Sequence, residues 1–171
     1  MPNWCINKLT ISHEDKSMID IFNSAYRDDV TCETYLPTPR DPNDPSRLIG
    51  EGSAFSDKDN ADNSWYMWRL KNWGTKWDIG CKDGYGMEPT IVDNELSITF
   101  DSAWSPPLGL YERLSVLGFD VEASYFEPGM SFAGTWQNGE DDYYEGNWND
   151  FPEALQDEFG MHEYYDDMEE V

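Results

Sequence analysis

Carboxylates dominate the chemistry available to this chain. Thirteen crowd its last stretch: Glu140, Asp141, Asp142, Glu145, Asp150, Glu153, Asp157, Glu158, Glu163, Asp166, Asp167, Glu169 and Glu170, and no Lys or Arg follows Arg113. Carboxylates at that density can ligate cations, exchange protons in pairs, or present an anionic surface to a basic partner. Acid pairs such as Asp141-Asp142 and Asp166-Asp167 are explained by the general excess of acids, so they single out no acid–base site.

The remaining reactive side chains are few. His13 and His162 lie far apart in sequence with no H-x-x-x-H spacing, and Cys5, Cys32 and Cys81 form no C-x-x-C pair, so no metal and no cofactor is expected. Cys5 sits among apolar residues, where a thiol is inert by default. No serine is accompanied by a marked base. The run Asp57-Lys58-Asp59-Asn60-Ala61-Asp62 imitates the start of a calcium loop but lacks its central glycine and closing glutamate; weak divalent-cation binding by such a loop stays open. Gly80, Gly84 and Gly86 have the spacing of a turn and not of a phosphate-binding fingerprint. The expectation is a protein that is not an enzyme.

Charge narrows the partners. With 35 acidic against 11 basic residues the formal net charge is -24. Direct nucleic-acid binding is excluded on that balance, because its affinity comes from neutralising phosphates with a basic patch. Anionic membranes are disfavoured for the same reason, and no window has the apolar length of a membrane span. An odd number of cysteines and an N-terminus without a basic, apolar leader fit a reducing cytoplasm. The partners that remain are basic proteins, including those whose own basic surface binds nucleic acid.

These residues need a scaffold, and at 171 residues the chain forms one domain, or one domain with an appendage, built on large rings: 8 Trp, 10 Tyr and 8 Phe. Asn3–Ile11 alternates as a strand with Cys5, Asn7, Leu9 and Ile11 on one face. Ser12 is placed to cap a helix carrying Met18, Ile21, Phe22 and Ala25. From Asp28 to Asn63 four prolines and two glycines break regular structure, which predicts a long surface excursion over 28–63. Asn63 or Ser64 can cap a short helix, Trp65–Trp73, that Gly74 ends. Lys76–Lys82 is predicted as a strand through Trp77, Ile79 and Cys81, and Glu95–Asp101 as a second. Ser105-Pro106-Pro107 opens a helix with Leu110, Tyr111, Leu114 and Leu117 inward, and Phe119–Tyr125 closes the pattern as a strand.

The order strand, helix, strand, strand, helix, strand predicts an α+β domain of the split β-α-β, ferredoxin-like kind: an antiparallel sheet with two helices on one face. Ser131–Trp136 and Tyr143–Trp148, joined through Asn138-Gly139, add a hairpin. The expected division is 1–148 for this domain and 149–171 for an acidic helical extension. That extension carries Phe151, Leu155 and Phe159, then Met161, Tyr164, Tyr165, Met168 and Val171 at helical spacing. The sheet's open face would carry Glu95, Ser97, Thr99, Asp101, Asp120 and Glu122; such acids argue against the base stacking that RNA-recognition modules use.

Four motifs recur around the aromatic residues: P-N-W-C-I-N at Pro2–Asn7, N-W-G-T-K-W-D at Asn72–Asp78, A-W-S-P-P at Ala103–Pro107, and Y-F-E-P-G-M-S-F-A-G at Tyr125–Gly134. Together they resemble the YubB-type ferredoxin-like proteins of bacteriophages and conjugative plasmids, over roughly residues 1–148. The resemblance implies a ferredoxin-like fold, a mobile-element origin and the cytoplasm of a bacterial host, and it carries over no catalytic residue. Trp4, Asn7, Asn72, Trp73, Gly74, Lys76, Trp77, Trp104 and Pro106 are expected to be structural, with the tryptophans packed in the core. Joined to the charge, the resemblance leads to an expected function. The protein is a counter-defence inhibitor whose rows of carboxylates imitate duplex phosphates and occupy the basic surface of a host nuclease or immune complex. The alternative is a regulatory interaction module that binds through the Trp/Pro surface around Trp73 and Trp104, with acids for solubility only.

Overall fold

A computed structural model describes residues 3–51 and 64–169, with side chains through residue 166. Strand β1 (Trp4–Ser12) alternates strictly, Cys5, Asn7, Leu9 and Ile11 being buried. Asn7 is the polar exception in that row. Its Nδ2 donates to the Cys5 carbonyl and to Ser102 Oγ, both at 2.8 Å, and Tyr111 Oη donates to its Oδ1 at 3.3 Å, so its burial is matched by partners.

Helix α1 (Lys16–Arg27) starts one turn later than expected: Asp15, not Ser12, is the N-cap and accepts from the Ser17 amide. Its buried face is Ile19, Phe22, Ala25 and Tyr26, while Ile21 stays exposed. The excursion is partly ordered, with a short helix α2 (Thr31–Tyr35) and a bridge between Arg40 and Leu48. Its residues 52–63, with the calcium-loop imitation, lie outside the described residues. Helix α3 (Trp65–Asn72) is capped by Ser64 and followed by Gly74 at φ +88°.

The expected strand over Lys76–Lys82 is absent. That segment is irregular, and the edge strand is instead β2 (Thr90–Val92). Strands β3 (Glu95–Ala103), β4 (Asp120–Glu127), β5 (Phe132–Gln137) and β6 (Glu140–Glu145) follow, with helix α4 (Leu108–Val116) between β3 and β4. Pro107 takes the N-cap of α4 without a side-chain bond; Ser105 Oγ donates to the Gly74 carbonyl rather than capping the helix. Together they make an α+β fold on a six-stranded antiparallel sheet, ordered β2-β3-β1-β4-β5-β6. The main core gathers Leu9 and Ile11 with Leu96, Ile98, Phe100 and Val121 against Ile19, Phe22 and Tyr26 of α1 and Leu110, Tyr111 and Leu114 of α4.

Residues 149–169 pack back onto the sheet. A 3-10 turn (Trp148–Asp150) leads to helix α5 (Glu153–Phe159), Gly160 in the left-handed region, and helix α6 (Met161–Glu169). Phe151, Leu155 and Met161 form a second core with Phe126 and Ala133 of the sheet, flanked by Ile6 and Tyr144. The register places Ile6, Phe126, Ala133 and Tyr144 on the sheet face opposite α1 and α4, so the α5–α6 pair covers one end of that second face.

Candidate functional site

The second face changes character along β1. Past Ile6 it turns polar: Lys8 and Thr10 of β1 stand beside Ser97 and Thr99 of β3 and beside Ser124 and Glu122 of β4. The two-residue turn Asn138-Gly139 pairs Gln137 with Glu140, which sets Thr135 opposite Asp142 on the same face. Helices α5 and α6 cover only the apolar end, so the polar end is left as a groove of about 410 Å³ lined by Lys8, Thr10, Glu122, Ser124, Thr135, Gln137, Glu140, Asp142 and Glu158. A depression of about 290 Å³ continues it across Lys8 and Thr10 to Ser97, Thr99 and Glu88.

Hydroxyls and an amide floor this groove, and four carboxylates and one cation wall it. The cation is already engaged. Lys8 Nζ donates to the Glu158 carbonyl at the end of α5 at 2.6 Å, lies 4.0 Å from Glu158 Oε1, and sits 5.2 Å from the Phe159 ring centroid. Ser124 Oγ donates to Glu158 Oε1 at 2.8 Å, and Gln137 Nε2 to Glu122 Oε1 at 2.9 Å. Glu140 and Asp142 are exposed, and among the described residues no donor or cation engages them. Like charges held in a concave polar surface focus a negative potential, which suits an incoming cationic group.

The thirteen C-terminal carboxylates do not share one surface. Glu140, Asp142 and Glu158 reach the groove. Asp141 and Glu145 project from the other face of β6, where Asp141 accepts from Tyr125 Oη at 2.7 Å and Glu145 from Tyr143 Oη at 3.0 Å. Burial, and then the hydrogen bond to Asp141 and its charge, push the Tyr125 phenol well above its usual range. Asp150, Glu153, Asp157, Glu163 and Asp166 are exposed on the covering helices. The side chains of Asp167 and Glu169, and Glu170 altogether, lie outside the described residues. Among the described residues no three His, Cys, Asp or Glu side chains converge to hold a metal, and no helix is long and apolar enough to cross a membrane.

Lys8, Thr10, Glu122, Ser124, Thr135 and Gln137 join the site from outside the sequence-based set. Alternation in β1 and β4 points to the first four; the last two become visible once the Asn138-Gly139 turn fixes the hairpin register.

The motif residues divide. Trp73 is fully buried, its Nε1 donating to the Leu36 carbonyl at 2.7 Å with the Arg69 guanidinium 4.2 Å from its ring centroid. Burial lowers the Arg69 pKa, and Glu33, 3.6 Å away, opposes that. Gly74 fits because a Cβ there would meet the Pro106 carbonyl at 2.7 Å, and Asn72 Nδ2 closes the end of α3 on the Trp68 carbonyl. The tryptophans do not form one core cluster: Trp77 is 39% and Trp104 37% exposed, and Trp4 is half-buried. Lys76 explains two of them, its Nζ lying 4.8 Å from the Trp77, 5.4 Å from the Tyr66 and 5.5 Å from the Trp104 ring centroid. Rings holding an ammonium keep an edge in water.

No family model matches the chain, and no curated protein matches it. Among solved structures the chain is similar to one described as the crystal structure of protein api92 from Yersinia pseudotuberculosis, with the family model DUF1281. Identity is 14%, 86% of this chain and 99% of that chain are covered, and the TM-score is 0.43.

Proposed function

We propose that this chain is a non-catalytic, ferredoxin-like protein of the YubB type, from a phage or plasmid. In the host cytoplasm it binds and inhibits a basic, nucleic-acid-binding defence protein through a DNA-mimic-like acidic surface. The strand order β2-β3-β1-β4, with α1 and α4 in the crossovers, supports the ferredoxin-like reading. The observation that carries the functional reading is the groove: four carboxylates with a single lysine that is already tied to α5. Its floor of Thr10, Ser124, Thr135 and Gln137 offers neutral hydrogen bonds beside the charges, as the side chains of a basic segment require. Since the C-terminal acids are spread over several surfaces, the groove, and not a duplex-long row, is the surface on which this reading rests.

The test is capture from a bacterial lysate by wild-type protein and by a Glu140→Gln/Asp142→Asn variant. Wild type should recover a nucleic-acid-binding protein, competed by DNA and lost steeply between about 50 and 200 mM salt. The variant should recover much less. Capture that resists salt and ignores DNA would sink the reading.

A second reading has its own observation: Trp77 and Trp104, both against Lys76, present partly exposed rings, whereas Trp73 and Pro106 are buried and offer no surface. A regulatory interaction module using that surface would lose its partner in Trp104→Ala and keep it in the acid variant. Deleting residues 149–171 separates neither reading, since it would also bare Phe126 and Ala133.

A further inference from the structure

A second cavity, of about 350 Å³, opens at the other end of β1, lined by Trp4, Trp77, Tyr85, Asp101 and Asp83 among others. Its rings are held in place by the loop that follows Trp77. Gly80 lies so close to α1 that a Cβ would meet the Tyr26 carbonyl at 2.5 Å, and Gly86 would collide with Tyr26 Oη. Asp29 pins the same loop, its carboxylate accepting the amides of Lys82 and Asp83, both at 2.9 Å. The Asp101 amide then donates to the Tyr85 carbonyl at 2.7 Å. The outcome is Tyr85 stacked on Trp4 with ring centroids 4.7 Å apart, and Trp77 tilted against Trp4 at 41° with centroids 5.8 Å apart.

The carboxylates of this cavity are not equivalent. Asp29 and Asp78 are saturated by backbone amides. Asp101 and Asp83 are not: among the described residues no donor or cation engages either carboxylate, Asp101 being half-buried and Asp83 exposed. Tyr85 and Trp77 meanwhile leave 52% and 39% of their surface exposed, an unusual amount for rings so firmly positioned. Aromatic rings beside carboxylates that lack a partner form the environment that stabilises an alkylated ammonium, through the ring quadrupoles and the formal charges. Trp77 already contacts one ammonium, that of Lys76, which does not itself line the cavity.

We infer that the cavity formed by Trp4, Trp77, Tyr85 and Asp101 is a binding site for an alkylated ammonium group, of the size and charge of a trimethylammonium head. The site is independent of the acidic groove and of the partner proposed for it.

Choline is the probe, with 3,3-dimethylbutan-1-ol as its uncharged isostere, titrated into the whole protein while the indole N–H resonances of Trp4 and Trp77 are followed. Choline should shift both saturably, with the isostere weaker by about tenfold or more. Asp101→Asn and Tyr85→Leu should each weaken choline by about tenfold while melting temperatures stay near wild type. Peptides bearing trimethyl-lysine or plain lysine separate the sources. A trimethyl-lysine peptide that outcompetes choline points to a protein side chain, and choline binding as tightly points to a free small cation. Equal binding of choline and isostere, no shift with either cation, or undiminished binding by both variants overturns the site.

Discussion

The Asp78 carboxylate stands at the N-terminus of helix α2, where the Cys32 amide donates to it at 2.6 Å. The Glu33 amide, at 2.9 Å, and the Ile79 amide, at 2.8 Å, donate to the same carboxylate, so an acid 46 residues further along the chain supplies the cap that α2 lacks locally.

Burial raises the Asp78 pKa to about 6, against the pull of those three amides and of Arg69. Because the folded value exceeds the unfolded one of about 3.9, the native state holds the proton more tightly between these values. This group's contribution to stability therefore falls as pH rises from about 4 to 6 and is flat above. Asp78→Asn cannot titrate. Urea midpoints across that window should show the wild type losing its advantage over the variant as pH rises; a growing advantage would mean that the amides outweigh burial.

Gly74→Ala and Gly139→Ala separate backbone strain from collision. Both positions have positive φ, +88° and +101°, but only Gly74 has an obstruction, the Pro106 carbonyl. Gly139→Ala should cost about 1 kcal/mol and Gly74→Ala about 2 kcal/mol or more, by urea denaturation.

Leu155 anchors α5 on the sheet and is 2% exposed. Leu155→Ala should cost about 2–5 kcal/mol, felt first in the covering helices. Chymotrypsin should cut faster at Phe159 and Tyr164, and amide exchange should rise in residues 153–166 before it rises in β1. Glu153→Ala, at an exposed position of the same helix, should change neither.

Lys8→Met removes the groove's cation. Exposed ion pairs contribute little, so stability should move by less than about 1 kcal/mol. Binding of an oligolysine probe should tighten a few-fold at low salt, and the gain should vanish as salt screens the groove. Calorimetry at two ionic strengths checks both.

Much of this architecture is legible in the sequence where one physical signal dominates. The alternation in Trp4–Ser12 and Glu95–Ala103 reads directly because one face is buried and the other is not. Lys76–Lys82 misleads because Trp77, Ile79 and Cys81 alternate like a strand, yet the backbone here is held from elsewhere: the Ile79 and Lys82 amides bond the carboxylates of Asp78 and Asp29, and the Cys81 amide bonds the Tyr26 carbonyl. Thr90–Val92 is missed because all three residues are exposed, leaving no pattern to read. The groove is half visible: the acids are apparent, but their division between two faces depends on a register that only the hairpin turn sets. The exposure of Trp77 and Trp104 follows from Lys76 lying against them, which no local spacing announces.

Strand β1 lies at the centre of the sheet, yet its neighbours come from far down the chain: Trp4 pairs with Ala103 and Ile6 with Phe126. During synthesis, Leu9 and Ile11 must wait more than eighty residues for their β3 partners, Ile98 and Leu96, and more than a hundred for Ala123 and Val121 of β4. Pairing across such separations is slow, and the waiting strand is a template for wrong partners. This protein should therefore finish folding only after most of it has been made.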